Sequence, residues 1–148
     1  MFFSIVLVVL TFLSMEGIAW LSHKYIMHGF LWNLHEDHHK KEHDHFLERN
    51  DFFFLIFAIP AIILMSLGTF GQVPYVLFIG IGITIYGGAY FFIHDLFIHQ
   101  RIKVLKQTKN KYLLALRRAH KLHHKHIGPE NGEYFGMLYI PLKYFKKS

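Results

Sequence analysis

No cysteine occurs among the 148 residues, so the chain has no disulfide framework, no thiolate-held metal and no iron–sulfur cluster. Any metal must be held by imidazole or carboxylate. Positive charge is missing from two long stretches: none of the sixteen Lys and Arg precedes Lys24, and none lies between Arg49 and Arg101. A nucleotide fingerprint is missing as well, because the glycines of GIGITIYGG sit in an apolar run rather than at a strand-to-helix turn. Neither flavin nor nicotinamide is expected in this chain. No linker or composition break divides it, which predicts one domain over residues 1–148.

What the chain does have is apolar surface. Hydrophobic residues make up 53% and aromatics 18%, with sixteen Phe, more than a soluble domain of this size can hide. Phe2 to Leu21 (interrupted only by Glu16), Phe52 to Phe70 and Tyr75 to Ile93 are nearly free of charge. Each approaches the roughly 20 residues that a helix needs to cross the hydrocarbon core. The first stretch lacks a basic n-region and a small-x-small cleavage site, and it runs straight into HKYIMH, so it reads as a span rather than a signal peptide. Only a hairpin fits the short turn around Gly71 to Pro74.

The two basic segments then set the topology. By the positive-inside rule both face the cytoplasm of an inner membrane and the N-terminus faces out, which three crossings satisfy. The net charge of +6 follows from this topology, so no nucleic-acid partner is expected. In the third span Gly80, Thr84 and Gly88 form a small-residue seam, and Pro60 is a tolerated kink in the second. Leu113, Leu116, His120, His123 and His124 share one stripe of an amphipathic helix, with Arg117, Arg118 and Lys121 on another. The tail YFGMLYIPLKYFKKS is broken by Gly136 and Pro141 and is expected to pack along the interface or over the site. The expected fold is an all-α integral membrane helical bundle, with three or four membrane-embedded helices and amphipathic cytoplasmic helices carrying a histidine cluster.

All thirteen histidines fall on the predicted cytoplasmic side. HEDHH (His35, His38, His39) and HKLHH (His120, His123, His124) repeat one pattern, and residues i, i+3 and i+4 of a helix share a face. Each copy is preceded by a His-x4-His pair, His23 with His28 and His94 with His99. Five residues turn an ideal α-helix through about 140° from alignment, so either the helix unwinds there or the two rings serve different metals. Ten imidazoles suit two metal ions with an open position for a small ligand. His43, His45 and His126 fit neither copy and are read as solvated.

Imidazole alone does not choose among iron, copper, zinc and nickel. A carboxylate-bridged site built on Glu-x-x-His fits Glu36 with His39 and Glu42 with His45, but the second half has no acidic residue near its histidines except Asp95. Carboxylates are instead expected to accept the outer ring N–H of ligating histidines. Asp37 and Asp95 are candidates, and so is Glu16, because an ionisable group inside a span is a functional hypothesis by default. A metal or haem carrier is the non-enzymatic alternative, although a transporter should hold its ligands near the bilayer midplane.

MEGIAWLSHKYIMHGFLWNLHEDHH, YFFIHDLFIHQR, AHKLHH and FGMLYIPL resemble the bacterial beta-carotene hydroxylases of the membrane fatty-acid hydroxylase superfamily. The likeness covers almost the whole chain in order and spacing; KKEHDH and PENGEY depart from it outside the ligand positions. It implies a non-haem di-iron monooxygenase that uses O2 and two electrons to hydroxylate C3 of the beta-ionone ring, giving cryptoxanthin and zeaxanthin. The implied iron ligands are His23, His28, His35, His38, His39, His94, His99, His120, His123 and His124, with zinc able to replace iron in purified protein. The substrate would be a carotenoid drawn from the membrane lipid, and the electrons would come from a separate donor such as an acidic ferredoxin docking on the basic face. Related hydroxylases, desaturases or ketolases acting on acyl chains, sterols or other carotenoids are the enzymatic alternatives.

Overall fold

A polypeptide in hydrocarbon must satisfy its backbone hydrogen bonds internally, and long apolar runs do so as helices. The computed structural model describes residues 1–40, 46–71, 73–103, 106–128 and 134–145, and among them every regular element is helical. Helix α1 spans Phe2–Leu21 and continues, wound more loosely as a π-helix, through Ser22–Phe30. The chain turns at Gly29 and Leu31 into α2, Trp32–His39. A short 3₁₀ turn, Arg49–Asp51, leads into α3, Phe52–Phe70, which contains Pro60. Helix α4, Pro74–Tyr90, passes into a second π-helical stretch, Phe91–Ile98. Helix α5 covers Lys111–His123, and a 3₁₀ turn at Leu142–Phe145 closes the described tail.

Three continuous helices, Phe2–Phe30, Arg49–Phe70 and Pro74–Ile98, are long and apolar enough to cross a membrane. Their large side chains point outward: Leu13, Ile62 and Phe70 are exposed, as lipid-facing residues are. Helix α4 packs against both α3 and α1. Small residues allow these approaches, but not all along the expected seam. A Cβ at Gly80 would meet Met65 Cγ at 2.6 Å and the Ala61 carbonyl at 3.0 Å, and Thr84 Oγ1 bonds the Gly80 carbonyl at 2.9 Å, so these two face α3. A Cβ at Gly88 would meet nothing within 4 Å, and Gly82 replaces it on another face, where a Cβ would stand 2.7 Å from Thr11 Cβ of α1. The single expected stripe is thus two contacts to two partners, because α4 has neighbours on both sides.

Outside the spans, α5 is capped by Asn110, whose side chain accepts from the amides of Tyr112 (2.9 Å) and Leu113 (3.2 Å). Its buried stripe, Ala115, Leu116, Ala119, His120 and His123, joins Tyr134, Ile140 and Tyr144 of the tail in one apolar cluster. Arg117 and Arg118 sit beside that stripe and donate to the carbonyls of Phe97 and Tyr144. They staple α5 to the end of the third span and to the tail. The expected packing of the tail over the histidine end is therefore what the fold contains.

Candidate metal centre

The two π-helical stretches answer the spacing problem of the His-x4-His pairs. A π-helix bonds residue i to i+5, so side chains five apart lie one turn above another. The His99 amide donates to the His94 carbonyl at 2.9 Å, and the Leu31 amide to the Ile26 carbonyl at 3.0 Å. Both histidines of each pair thereby address one point. Of the two readings left open by the sequence, the helix ends unwind.

The side chains of all ten expected ligands converge. His23, His28, His35, His39 and His123 form one group and His38, His94, His99 and His120 a second; within each, the candidate ligand atoms lie within 4.8 Å of one another. His124 Nε2 lies 2.8 Å from His120 Nε2 and so borders the second group. Each His-x-x-His-His box is split rather than converging locally. The i and i+4 rings, His35 and His39, serve one group, while the i+3 ring, His38, crosses to the other. In the second box His120 and His123 separate in the same way. Ring contacts of His38 with His120 and of His39 with His123 and His124 interleave the two boxes, which spacing along one helix could not reveal.

The nitrogens fit a metal. Nε2–Nε2 separations are 3.1 Å for His23 with His35, 3.2 Å for His39 with His35, 3.2 Å for His28 with His123, 3.2 Å for His38 with His94 and 2.8 Å for His99 with His120. Two imidazoles bound at about 2.1 Å and at right angles would stand about 3.0 Å apart. The outer nitrogens also point to this use. His23 Nδ1 donates to the Phe135 carbonyl at 3.1 Å, His28 Nδ1 to the Ile127 carbonyl at 2.7 Å, His35 Nδ1 to Asn50 Oδ1 at 2.6 Å and His38 Nδ1 to Glu48 Oε2 at 2.8 Å. With the proton on Nδ1, each Nε2 turns a lone pair inward. Several buried acceptors facing one another are satisfied by a cation.

Burial keeps these rings neutral. Desolvation, opposed by the Asn50 hydrogen bond and reinforced by neighbouring imidazoles, lowers His35 to about 3. Desolvation lowers His124 to about 4, with His94 and His28 adding to it. His38 and His120 are likewise driven well below the ordinary imidazole range by burial and then by adjacent rings. Metal binding at neutral pH therefore displaces few protons from Nε2.

The expected carboxylate partners divide. Asp95 Oδ2 lies 3.4 Å from His94 Nδ1, as anticipated. Asp37 accepts from the Arg49 amide at 2.6 Å, in the turn before α3. Glu16 faces the tail: Oε1 accepts the amides of Met137, Leu138 and Tyr139 at 2.8, 2.8 and 3.0 Å, and Oε2 accepts the Tyr86 hydroxyl at 2.7 Å. Sequence reasoning missed Asn50 and Glu48, although ERND immediately before an apolar run was a visible signal. The carbonyls of Phe135 and Ile127 carry no sequence signal at all. His43 and His45 lie outside the described residues, and His126 belongs to neither group.

Aromatic rings pack against both histidine groups. Phe135 packs edge-on against His23, His28 and His123 with ring centroids 5.5, 5.2 and 5.2 Å apart, and Tyr90 lies 4.9 Å from His94. Trp20 backs Phe135 at 6.4 Å.

The chain is similar in sequence to known proteins over most of its length. Residues 8–141 match the fatty acid hydroxylase family. A beta-carotene hydroxylase of Pseudescherichia vulneris is 44% identical over 133 residues, covering 90% of this chain and 74% of that protein. Beta-carotene hydroxylases of Paracoccus sp. (strain PC1) and Pantoea ananas are 41% and 42% identical, covering 91% of this chain and 83% and 76% of theirs. No solved structure matches. With ten inward-facing imidazoles at one end of three apolar helices, and this extent of identity, the chain belongs to the fatty acid hydroxylase family.

Proposed function

We propose that this protein is a di-iron monooxygenase that hydroxylates C3 of the beta-ionone ring of beta-carotene. The single observation that carries the reading is the paired histidine cluster at one end of three apolar helices, in a chain 41–44% identical to proteins named beta-carotene hydroxylase. The overall conversion consumes the C–H bond, O2, two electrons and two protons and yields the alcohol and water. Bound iron would supply O2 activation, which amino-acid side chains cannot provide.

The chain's own residues do the rest. His23, His28, His35, His39 and His123 would hold one ion, and His38, His94, His99 and His120, bordered by His124, the other. Oxygens at Phe135, Ile127, Asn50 and Glu48 hold the rings of His23, His28, His35 and His38 with Nε2 inward. Phe135 and Tyr90 exclude water on the side from which a substrate dissolved in the bilayer arrives. Glu16 fixes the tail that presents Phe135. A hydrocarbon ring enters between the spans and rests against these aromatics.

The distribution of Lys and Arg, read by the positive-inside rule, supports a cluster on the cytoplasmic side of an inner membrane with the N-terminus outside. There Lys103, Lys106, Lys109, Lys111, Lys121 and Lys125 are exposed and offer a docking face for an acidic electron donor of the ferredoxin kind. Reconstituted turnover should accordingly weaken as salt rises.

Expression in cells that accumulate beta-carotene tests the reading. Cryptoxanthin and zeaxanthin are the expected pigments. Unchanged carotene together with demonstrated iron loading would overturn the substrate assignment, and hydroxylated acyl chains in the same cells would replace it.

A further inference from the structure

The two histidine groups differ in what stands behind them. In the group of His23, His28, His35, His39 and His123, three outer nitrogens meet uncharged oxygens, the Phe135 carbonyl, the Ile127 carbonyl and the Asn50 side-chain amide, while Nδ1 of His39 and of His123 has no hydrogen-bond partner among the described residues. In the group of His38, His94, His99 and His120 two of them meet carboxylates, Glu48 behind His38 at 2.8 Å and Asp95 beside His94 at 3.4 Å. Arg101 ties these carboxylates together. Its guanidinium reaches Glu48 at 3.2 Å, Asp95 at 3.0 Å and Asp51 at 2.6 and 3.0 Å. Three carboxylates against one guanidinium leave this side of the cage with an excess of negative charge.

Gln100 makes this arrangement reachable. Its left-handed backbone (φ 53°) ends the π-helical stretch and lets the Arg101 amide return to the Asp95 carbonyl at 3.0 Å. The Arg101 side chain is thereby folded back over the ligands that precede it.

We infer that the two metal positions are inequivalent: the one held by His38, His94, His99 and His120 binds its ion more tightly and is oxidised at lower potential, because Glu48 and Asp95 stand behind its imidazoles. This deepens the di-iron reading and rests on it. A carboxylate that accepts an imidazole N–H raises the basicity of the opposite nitrogen and stabilises higher positive charge on whatever that nitrogen binds. A carbonyl does so less, since it carries no net charge. Glu48 is thus a positioning and tuning residue, acting through His38 without touching the metal.

Anaerobic titration of the metal-free full-length protein with ⁵⁷Fe(II), followed by Mössbauer spectroscopy, tests this. Wild type should load in two steps, with a single quadrupole doublet at one equivalent and a second only beyond it. Glu48→Gln should weaken the tighter step by about 10-fold or more and give mixed doublets at one equivalent. Asn50→Asp should strengthen the weaker step by placing a carboxylate behind His35, a gain that misfolding cannot produce. Two equal steps in wild type, or an unchanged weaker step in Asn50→Asp, would overturn the inequivalence while leaving the two-metal reading intact. Failure to bind two ions would overturn both.

Discussion

The amide of His99 donates to the carbonyl of His94, five residues back rather than four. This one bond converts a spacing that an α-helix would splay into a pair of rings on one face. The same winding at Ser22–Phe30 aligns His23 with His28. Underwinding at the ends of two membrane helices is therefore the local device that builds the cage.

Changing the spacing should expose this dependence. One alanine inserted between Ile98 and His99 places the pair six apart, which neither an α- nor a π-helix aligns. We expect loss of one of the two bound metal equivalents by metal analysis. Deleting Ile98 makes the pair i and i+4, one turn of an ordinary α-helix, and should cost less metal. Equal losses in both variants would contradict the role given to the π-helical winding.

Glu16 should matter for the tail before it matters for the metal. Glu16→Ala removes the shared acceptor of three amides and the Tyr86 hydroxyl, a loss on the order of 3–5 kcal/mol. Thermal unfolding in detergent should show it, and proteolysis within residues 134–145 should accelerate. Glu16→Gln keeps a carbonyl acceptor and should lose about half as much. Gly136→Ala should act in the same direction, since its Cβ would stand 2.9 Å from Glu16 Oε1.

The glycines of α4 predict opposite outcomes on one helix. Gly82→Ala forces a Cβ to 2.7 Å from Thr11 Cβ and 2.9 Å from the Val8 carbonyl, both in α1, and should cost about 1–3 kcal/mol. Gly87→Ala and Gly88→Ala meet nothing within 4 Å and should be neutral or stabilising by up to about 1 kcal/mol. Thermal midpoints of the three variants, measured side by side, check the α1–α4 contact.

These contrasts show where sequence reasoning ran out. Lys and Arg segregation and three apolar runs made the spans legible, and the doubled box made all ten histidines legible. The crosswise division of His35 and His39 from His38 was not, because it depends on how α2 meets α5 and not on any spacing within either. Glu16 was legible as unusual, since a carboxylate among apolar residues needs partners. That its partners would be three consecutive tail amides, 121 to 123 positions away, required the fold. Glu48 and Asn50 looked like a helix start, and Glu48 does form a reciprocal capping arrangement with Asp51, which hid their use behind His38 and His35.

Acid should destabilise the metal-free protein. At about pH 8 and above, His35 and His124 are neutral in both folded and unfolded chains and contribute no pH dependence. As pH falls below 6.5 the unfolded chain takes up protons, whereas folded His124 resists until about 4 and His35 until about 3. Each such ring steepens the loss by about 1.4 kcal/mol per pH unit within that window. Unfolding midpoints at pH 7.5, 6.0 and 5.0 should fall with growing slope, and a flat profile would contradict rings held neutral by burial.

Two of the outer hydrogen bonds, to the carbonyls of Ile127 and Phe135, are made by the main chain. A main-chain oxygen is present whatever residue occupies the position, so point mutation cannot delete it. Glu48 and Asp95 enjoy no such protection. In a random-mutagenesis library scored for metal retention, the half of the centre around His38 and His94 should therefore be the fragile one, and the half around His23 and His28 should tolerate drift in the residues that hold it.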